Sequence, residues 1–180
     1  EPPGLVAISN GIGLKVGAIT AKLSQNLIAR KQLNISSLKS LSGKRIAVLR
    51  GTSSHYSLLK SMQEHSLNIR NENIHFMMPT QARAAFITNQ IDAWAIWPPF
   101  SNELILEGKA RAVPNTAATI YSLTFLRNEF IEQRPHEAFS FIALIESSKV
   151  WIKNNPIKAK KIVSKEIGSN LATIEHAWEQ

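Results

Sequence analysis

The 180-residue sequence contains no cysteine, which excludes disulfides, thiolate metal sites and a cysteine nucleophile within these residues. Its one aspartate, Asp92, lies in a strand-like run, and no pair of carboxylates has the pattern that general acid–base catalysis needs. The five histidines show no metal-ligand spacing, and no apolar run is long enough to span a bilayer. We therefore find no catalytic constellation and expect no metal, no cofactor and no enzymatic activity.

The composition is that of a folded protein with an excess of positive charge. Apolar residues make up 44% and charged residues 19%, and the length suits one ordinary domain or two small ones. The formal net charge of +8 favours anionic partners, a class that includes small anions, nucleic acid and anionic lipid. The charges are scattered, and the densest run, at 158–165, is typical of a solvated helix face.

The most informative stretch is a glycine turn between a predicted strand and a predicted helix. Residues 45–49 read as the strand, 50–55 as the turn, and the apolar spacing that follows predicts the helix. The start of such a helix presents unpaired N–H groups and the positive end of the helix dipole, which favours a small bound anion. The alternative is that the turn's side chains only cap the helix. Those side chains are Thr52, Ser53, Ser54 and His55.

The middle of the chain repeats a strand–helix order. Strands are predicted at 73–77, 91–96 and 110–113, with helices beginning at Pro79 and after the turn at 97–100. This alternation predicts parallel pairing, so that the turns following the strands meet at one edge of the sheet, where α/β proteins bind ligands. Gln81 and Trp97 lie in these turns, and Trp97 is expected either to wall a pocket or to pack. Trp94, inside a strand, is predicted to be core.

The two ends of the chain have a different pattern. A helix is predicted at 1–10, strands at 14–21 and 26–29, a last strand at 120–126, and helices from Pro135, Pro156 and near Asn170. We interpret the chain as two lobes, in which 1–27 and 119–180 belong to lobe 1 and 28–118 form a continuous α/β lobe 2. The two crossings, near Gln25 and Tyr121, are predicted to form a hinge.

Several segments, in this order, resemble one protein family. They are 37–48 (Ser-Leu-Lys-Ser-Leu-Ser-Gly-Lys-Arg-Ile-Ala-Val), 51–55 (Gly-Thr-Ser-Ser-His), 84–86 (Ala-Ala-Phe), 91–100 (Ile-Asp-Ala-Trp-Ala-Ile-Trp-Pro-Pro-Phe), and Trp151 with Asn155-Pro156. The sequence resembles the solute-binding proteins of ABC importers for aliphatic sulfonates, taurine and nitrate. The resemblance covers nearly the whole chain.

The resemblance implies a fold, a function and a set of site residues. The fold is the two-lobed α/β periplasmic-binding-protein fold of type II, each lobe a mostly parallel sheet flanked by helices, with one lobe incomplete in this chain. The function is capture of a small anionic solute in an interlobe cleft and its delivery to a membrane permease, by a periplasmic or lipid-anchored extracellular monomer without a nucleic-acid partner. With the turn and hinge residues included, the expected ligand-binding residues are Gln25, Asn26, Thr52, Ser53, Ser54, His55, Gln81, Trp97 and Tyr121.

Three alternatives use similar scaffolds. One is an enzyme resembling a sulfinate desulfinase, whose cysteine nucleophile would have to lie outside these residues. Another is the effector domain of a LysR-type regulator, which is similar in fold and length. The third is a binding protein for a thiamine-precursor pyrimidine, for which more aromatic residues than the 7% present would be expected.

Overall fold

The computed structural model describes residues 2–67, 73–114 and 118–178. The chain forms two compact units, one comprising Glu1–Leu23 and Ile120–Glu175 and the other Ser24–Thr119 and His176–Gln180. The predicted lobe bounds at 27 and 118 stay predictions for the lobes of the whole protein.

The helices and strands alternate through the middle of the chain and give way to helices after residue 127. The helices predicted from Pro135, Pro156 and near Asn170 are confirmed. The elements are α1 (Pro2–Ser9), β1 (Leu14–Arg30), a 3₁₀ turn (Leu38–Leu41), β2 (Ile46–Val48), α2 (Ser53–Glu64), β3 (Ile74–Phe76), α3 (Pro79–Ile87), β4 (Ala93–Ile96), α4 (Phe100–Leu106), β5 (Ala110–Ala112), β6 (Ala118–Arg127), α5 (Asn128–Gln133), α6 (Pro135–Asn154), α7 (Pro156–Ile167) and α8 (Leu171–Trp178).

One prediction about the strands was wrong. The segments 14–21 and 26–29, predicted as separate strands, belong to the single 17-residue strand β1. The polar pair Ser24-Gln25, which precedes the second predicted strand, contains neither glycine nor proline and does not break the extended backbone. The side chain of Gln25 is buried within the second unit, where a hydrogen bond from Ser54 satisfies its amide oxygen.

The sheet of the second unit is mixed, with the order β3-β2-β4-β1-β5. Strand β2 pairs in parallel with both β3 and β4, as the strand–helix alternation predicts. Strand β1 is antiparallel to both of its neighbours there, with Asn26 opposite Ile96 of β4 and Ile28 opposite Ala112 of β5. Strands β4 and β5 therefore run in the same direction with β1 inserted between them. The predicted α/β fold class is confirmed.

The core of the second unit lies on both faces of this sheet. One apolar cluster contains Leu27 and Ala29 of β1 together with Leu58 of α2. The other contains Ile28 of β1 with residues of α3 and α4, including Phe86. Successive β1 side chains enter opposite clusters because side chains alternate across a strand. The prediction that Trp94 is core is confirmed, since only 1% of it is exposed.

An ion-pair cluster joins three strands at the edge where β2 and β4 begin. The Asp92 carboxylate accepts hydrogen bonds from Arg30 Nη2 at 2.7 Å and from the backbone N–H of Arg45 at 2.9 Å. The Arg45 side chain adds bonds of 3.0 Å from Nε and 3.0 Å from Nη2. Burial alone would raise the pKa of Asp92, but the hydrogen bonds from Arg45 and Arg30 and the charge of Arg45 outweigh it and hold that pKa well below its usual range.

In the first unit, β6 pairs with β1 and helices follow. The Thr20 hydroxyl donates to the Ser122 carbonyl at 3.1 Å. A Cβ at Gly17 of β1 would come within 2.7 Å of Ile142 Cδ1, so the glycine permits close packing of α6 on the strand. Within the described residues, no helix has both the length and the apolar character needed to cross a membrane.

Candidate functional site

The turns after β2, β3 and β4 lie at one edge of the second unit's sheet, because these adjacent strands are parallel. After β2 the chain turns at Gly51, whose φ of +77° is in the left-handed region that favours glycine. Thr52 then caps α2: its hydroxyl donates to the Leu49 carbonyl at 2.7 Å and accepts from the His55 N–H at 3.3 Å. The capping alternative therefore describes Thr52 correctly.

Two backbone donors at the start of α2 remain available. The His55 N–H is taken by the cap, and the Tyr56 N–H donates to the Thr52 carbonyl. The N–H groups of Ser53 and Ser54 donate to no acceptor in the described part of the chain. They stand at the positive end of a 12-residue helix, where a negative charge is stabilised.

A buried amide adjoins these donors. Ser54 Oγ donates to Gln25 Oε1 across 2.5 Å, and both residues are only 1% exposed. The other end of the amide, Gln25 Nε2, is buried and has no hydrogen-bond partner among the described residues. An unsatisfied buried donor costs roughly 1–3 kcal/mol, so native proteins rarely leave one without a purpose. The start of α2 thus brings together a helix N-terminus and an unused buried N–H group.

The imidazole ring of His55, at the same turn, is neutral. Its Nδ1 accepts a hydrogen bond from the Gly51 N–H at 3.3 Å, which places the ring proton on Nε2. Burial, and secondarily the positive charge of Arg50, lower the pKa of His55. The ring stands edge-on to Phe76 with the ring centroids 5.3 Å apart. His55 therefore offers an N–H donor without a net charge.

A contact between Arg50 and Phe76 at the same edge was not predicted from the sequence. The Arg50 guanidinium carbon lies 3.8 Å from the centroid of the Phe76 ring, a cation–π contact that joins the ends of β2 and β3. The available signal was a basic residue directly before the glycine turn and an aromatic residue ending the next strand. Recognising the contact required the pairing of β2 with β3.

Asn26 and Trp97 are directed to the opposite face of the sheet from Gln25. Asn26 Nδ2 donates to the Ser101 hydroxyl of α4 at 3.3 Å, which donates to Asn102 Oδ1 at 3.2 Å. Asn102 Nδ2 is in turn 2.6 Å from His176 Nδ1. Trp97 is half-buried against the α3–α4 cluster. Its ring centroid lies 6.2 Å from that of Phe100, so packing is part of its role.

Gln81 and Tyr121 are the remaining predicted residues. Gln81 is exposed, and its Oε1 accepts from the Met78 N–H at 3.2 Å at the start of α3. Tyr121 belongs to the first unit, where 51% of it is exposed. The ligand contacts of both residues stay predictions. Across the ranges that the structure describes, no cluster of histidine, aspartate and glutamate side chains fits a metal ion.

Structural comparison identifies the fold. The periplasmic aliphatic sulphonate-binding protein of Escherichia coli matches 99% of this chain and 62% of its own, with a TM-score of 0.80 at 20% identity. A desulfurization enzyme shares the fold more distantly, with a TM-score of 0.71 at 14% identity over 98% of this chain and 67% of its own. The fold is that of the periplasmic binding proteins.

Sequence comparison shows the family. A Bacillus subtilis protein, provisionally named an aliphatic sulfonates-binding protein, is 29% identical over 90% of this chain. The taurine-binding periplasmic protein of Escherichia coli is 28% identical over 88% of this chain. The chain spans about half the length of these relatives, 50% and 51% respectively. It belongs to the NMT1/THI5-like family, whose profile matches residues 5–159, and the predicted resemblance to sulfonate- and taurine-binding proteins is confirmed.

Proposed function

We propose that this chain carries the anion-binding site of a substrate-binding receptor of an ABC importer, acting in the periplasm or anchored outside the cell. The solute is a small anion of the sulfonate, taurine or nitrate class, which the receptor delivers as a monomer to its membrane permease. The observation that carries the proposal is the donor set at the start of α2. Among the described residues, neither the N–H groups of Ser53 and Ser54 nor the buried Nε2 of Gln25 has a hydrogen-bond acceptor. The interlobe position of the solute is part of the proposal.

The chemistry of this donor set suits an oxyanion. Hydrogen bonds to a charged group contribute about 1.5–3 kcal/mol each, and micromolar affinity needs about −8 kcal/mol. Three such bonds and the dipole of α2 come near that value before the cost of association is subtracted. The net charge of +8 adds a favourable field for anions.

A binding screen on the intact protein tests the proposal. The panel contains taurine, ethanesulfonate, nitrate, sulfate, bicarbonate and a pyrimidine, with melting temperature and calorimetric titration as readouts. We expect a selective rise in melting temperature with one of the anions, since a ligand that binds the folded state stabilises it by mass action. Binding of none of the anions, or of the pyrimidine alone, would contradict the proposal.

A substitution at Ser53 tests the location of the site. Ser53 is the first residue of α2, where proline is tolerated, and Thr52 before it has the extended conformation that a following proline requires. Ser53→Pro therefore deletes one backbone donor while keeping the helix, whereas the matched control Ser53→Ala keeps that donor and removes only the hydroxyl. We expect Ser53→Pro to bind the selected anion at least about tenfold more weakly than Ser53→Ala. If the two variants bind the anion equally well, the Ser53 N–H does not contact it and the site does not lie at the start of α2.

A further inference from the structure

The Ser54 hydroxyl is already committed to another group of the protein. It has one proton, and that proton is donated to Gln25 Oε1 within the buried part of the second unit. The Ser53 hydroxyl, by contrast, is half-buried and makes no bond to Gln25. The Ser54 hydroxyl proton is therefore used within the protein, whereas the Ser53 hydroxyl proton is not donated to Gln25.

The hydrogen bond from Ser54 Oγ to Gln25 Oε1 affects the other end of the amide, the Nε2 group. A glutamine oxygen and NH₂ group have nearly the same shape, so packing alone does not determine which of them faces an anion. Donation to Oε1 gives the amide oxygen its partner and leaves Nε2 as the end that has none among the described residues. It also polarises the amide, which strengthens the N–H as a donor in a chain of hydrogen bonds that all point the same way.

We infer that Ser54 is a positioning residue of the anion site: its hydroxyl acts through Gln25, whose Nε2 contacts the anion. The inference rests on the proposed function and separates two roles within it. The anion receives hydrogen bonds from Gln25 Nε2 and from the backbone N–H groups of Ser53 and Ser54. The Ser54 side chain makes none to it.

A double-mutant cycle distinguishes action through Gln25 from direct contact. Ser54→Ala, Gln25→Met and the double variant are made in the intact protein, and the Kd of each for ethanesulfonate and for nitrate is measured by calorimetry. We expect Gln25→Met to weaken binding at least about tenfold and Ser54→Ala several-fold, since each removes part of a charge-assisted hydrogen-bond chain. The double variant is expected to match Gln25→Met within about twofold, because interacting residues are not additive.

Ser53→Ala provides the matched control, made in both the wild-type and the Gln25→Met protein. Its effect on Kd is expected to be the same factor in both backgrounds, since the Ser53 hydroxyl makes no bond to Gln25. Melting temperatures without ligand check that each variant is folded, and Gln25→Leu replaces Gln25→Met if the latter does not fold.

Each outcome decides between the roles. If Ser54→Ala weakens binding by the same factor with and without Gln25, Ser54 contacts the anion itself and the inference is wrong. It is also wrong if Gln25→Met leaves Kd unchanged. If the wild-type protein binds neither probe nor any other anion of the panel, the proposed function fails and the inference fails with it. Binding by the wild type combined with additive variants overturns the inference alone.

Discussion

The charge state of His55 follows from its neighbours and not from its position in the helix alone. The dipole at the start of α2 disfavours an imidazolium, and the Gly51 N–H that donates to Nδ1 requires the neutral ring. Burial and the nearby Arg50 charge act in the same direction on the pKa. In the free protein, His55 is therefore a neutral donor at neutral pH.

The lowered pKa of His55 makes stability depend on pH. Below its ordinary pKa of 6.5, the unfolded chain binds a proton that the folded protein does not, so the contribution of His55 to stability is lost as pH falls. We expect the difference in unfolding free energy between wild type and His55→Asn to shrink between about pH 7 and pH 5. Urea unfolding of both proteins at several pH values measures it. A pH-independent difference would show that His55 has the same pKa folded and unfolded.

The sequence pattern around Thr52 is compatible with two roles, an anion contact and a helix cap. Its position after a glycine turn predicted both an anion contact and a helix cap, and the structure shows the cap. The cap bonds use the hydroxyl proton and one lone pair, while the N–H groups of Ser53 and Ser54 have no acceptor in the described ranges. The Thr52 hydroxyl caps the helix, and the backbone N–H groups of Ser53 and Ser54 are the donors that an anion would use, so the two roles belong to different groups of the same turn.

At the scale of whole elements, Asp92 holds together the ends of three strands. It precedes β4, accepts from Arg45 just before β2, and accepts from Arg30 at the end of β1. The Arg30 and Asp92 side chains are only 15% and 10% exposed, so each of these two charges depends on the other for compensation. This cluster lies at the opposite end of β2 from the candidate anion site and is expected to stabilise the sheet without contacting the solute.

Replacing Asp92 tests this role. Asp92→Asn keeps the size of the side chain but removes the charge that two arginines share, and we expect a loss of about 2–4 kcal/mol of unfolding free energy. Glu107→Gln, which weakens partly exposed ion pairs with Arg83 and Lys109, is the control and should cost less than about 1 kcal/mol. Urea unfolding at pH 7 measures both. Equal losses would mean that the cluster is no more important than a surface ion pair.

At the scale of the whole chain, the excess positive charge is expected to affect how fast an anion arrives. A net charge of +8 creates a field that attracts anions, and dissolved salt screens that field over about 10 Å at 0.1 M ionic strength. We expect the association rate constant for the anion selected in the screen to fall as ionic strength rises. The dissociation rate constant should change much less, because short hydrogen bonds within a buried site are weakly screened.

Stopped-flow mixing at low and high potassium glutamate measures both rate constants. Glutamate is used because it is bulkier than chloride and competes less for a small-anion site. An association rate constant that does not change with salt would show that the net charge has no part in capture. A dissociation rate constant that rises steeply would place the bound anion in contact with solvent.

Local patterns in the sequence were sufficient to predict most of the helices and strands of the second unit. Apolar spacing and the glycine turn predicted β2, α2, β3, α3 and β4 in their correct order. The same patterns indicated the parallel pairing of β2 with β3 and β4, and hence the edge at which the turns after these strands meet. These features depend on neighbours in the chain, which is why the sequence alone carries them.

What only the tertiary structure decided involves residues far apart in the chain. The antiparallel insertion of β1, the bond from Ser54 to Gln25, and the contact of Arg50 with Phe76 each join segments separated by 26 or more residues. No local pattern encodes such a pair, because its formation depends on sheet order and on which face each side chain reaches. The sequence by itself determined the excess of positive charge and a helix start whose dipole favours an anion. Only the tertiary structure decided that the buried side chain of Gln25 bonds to Ser54 at that helix start.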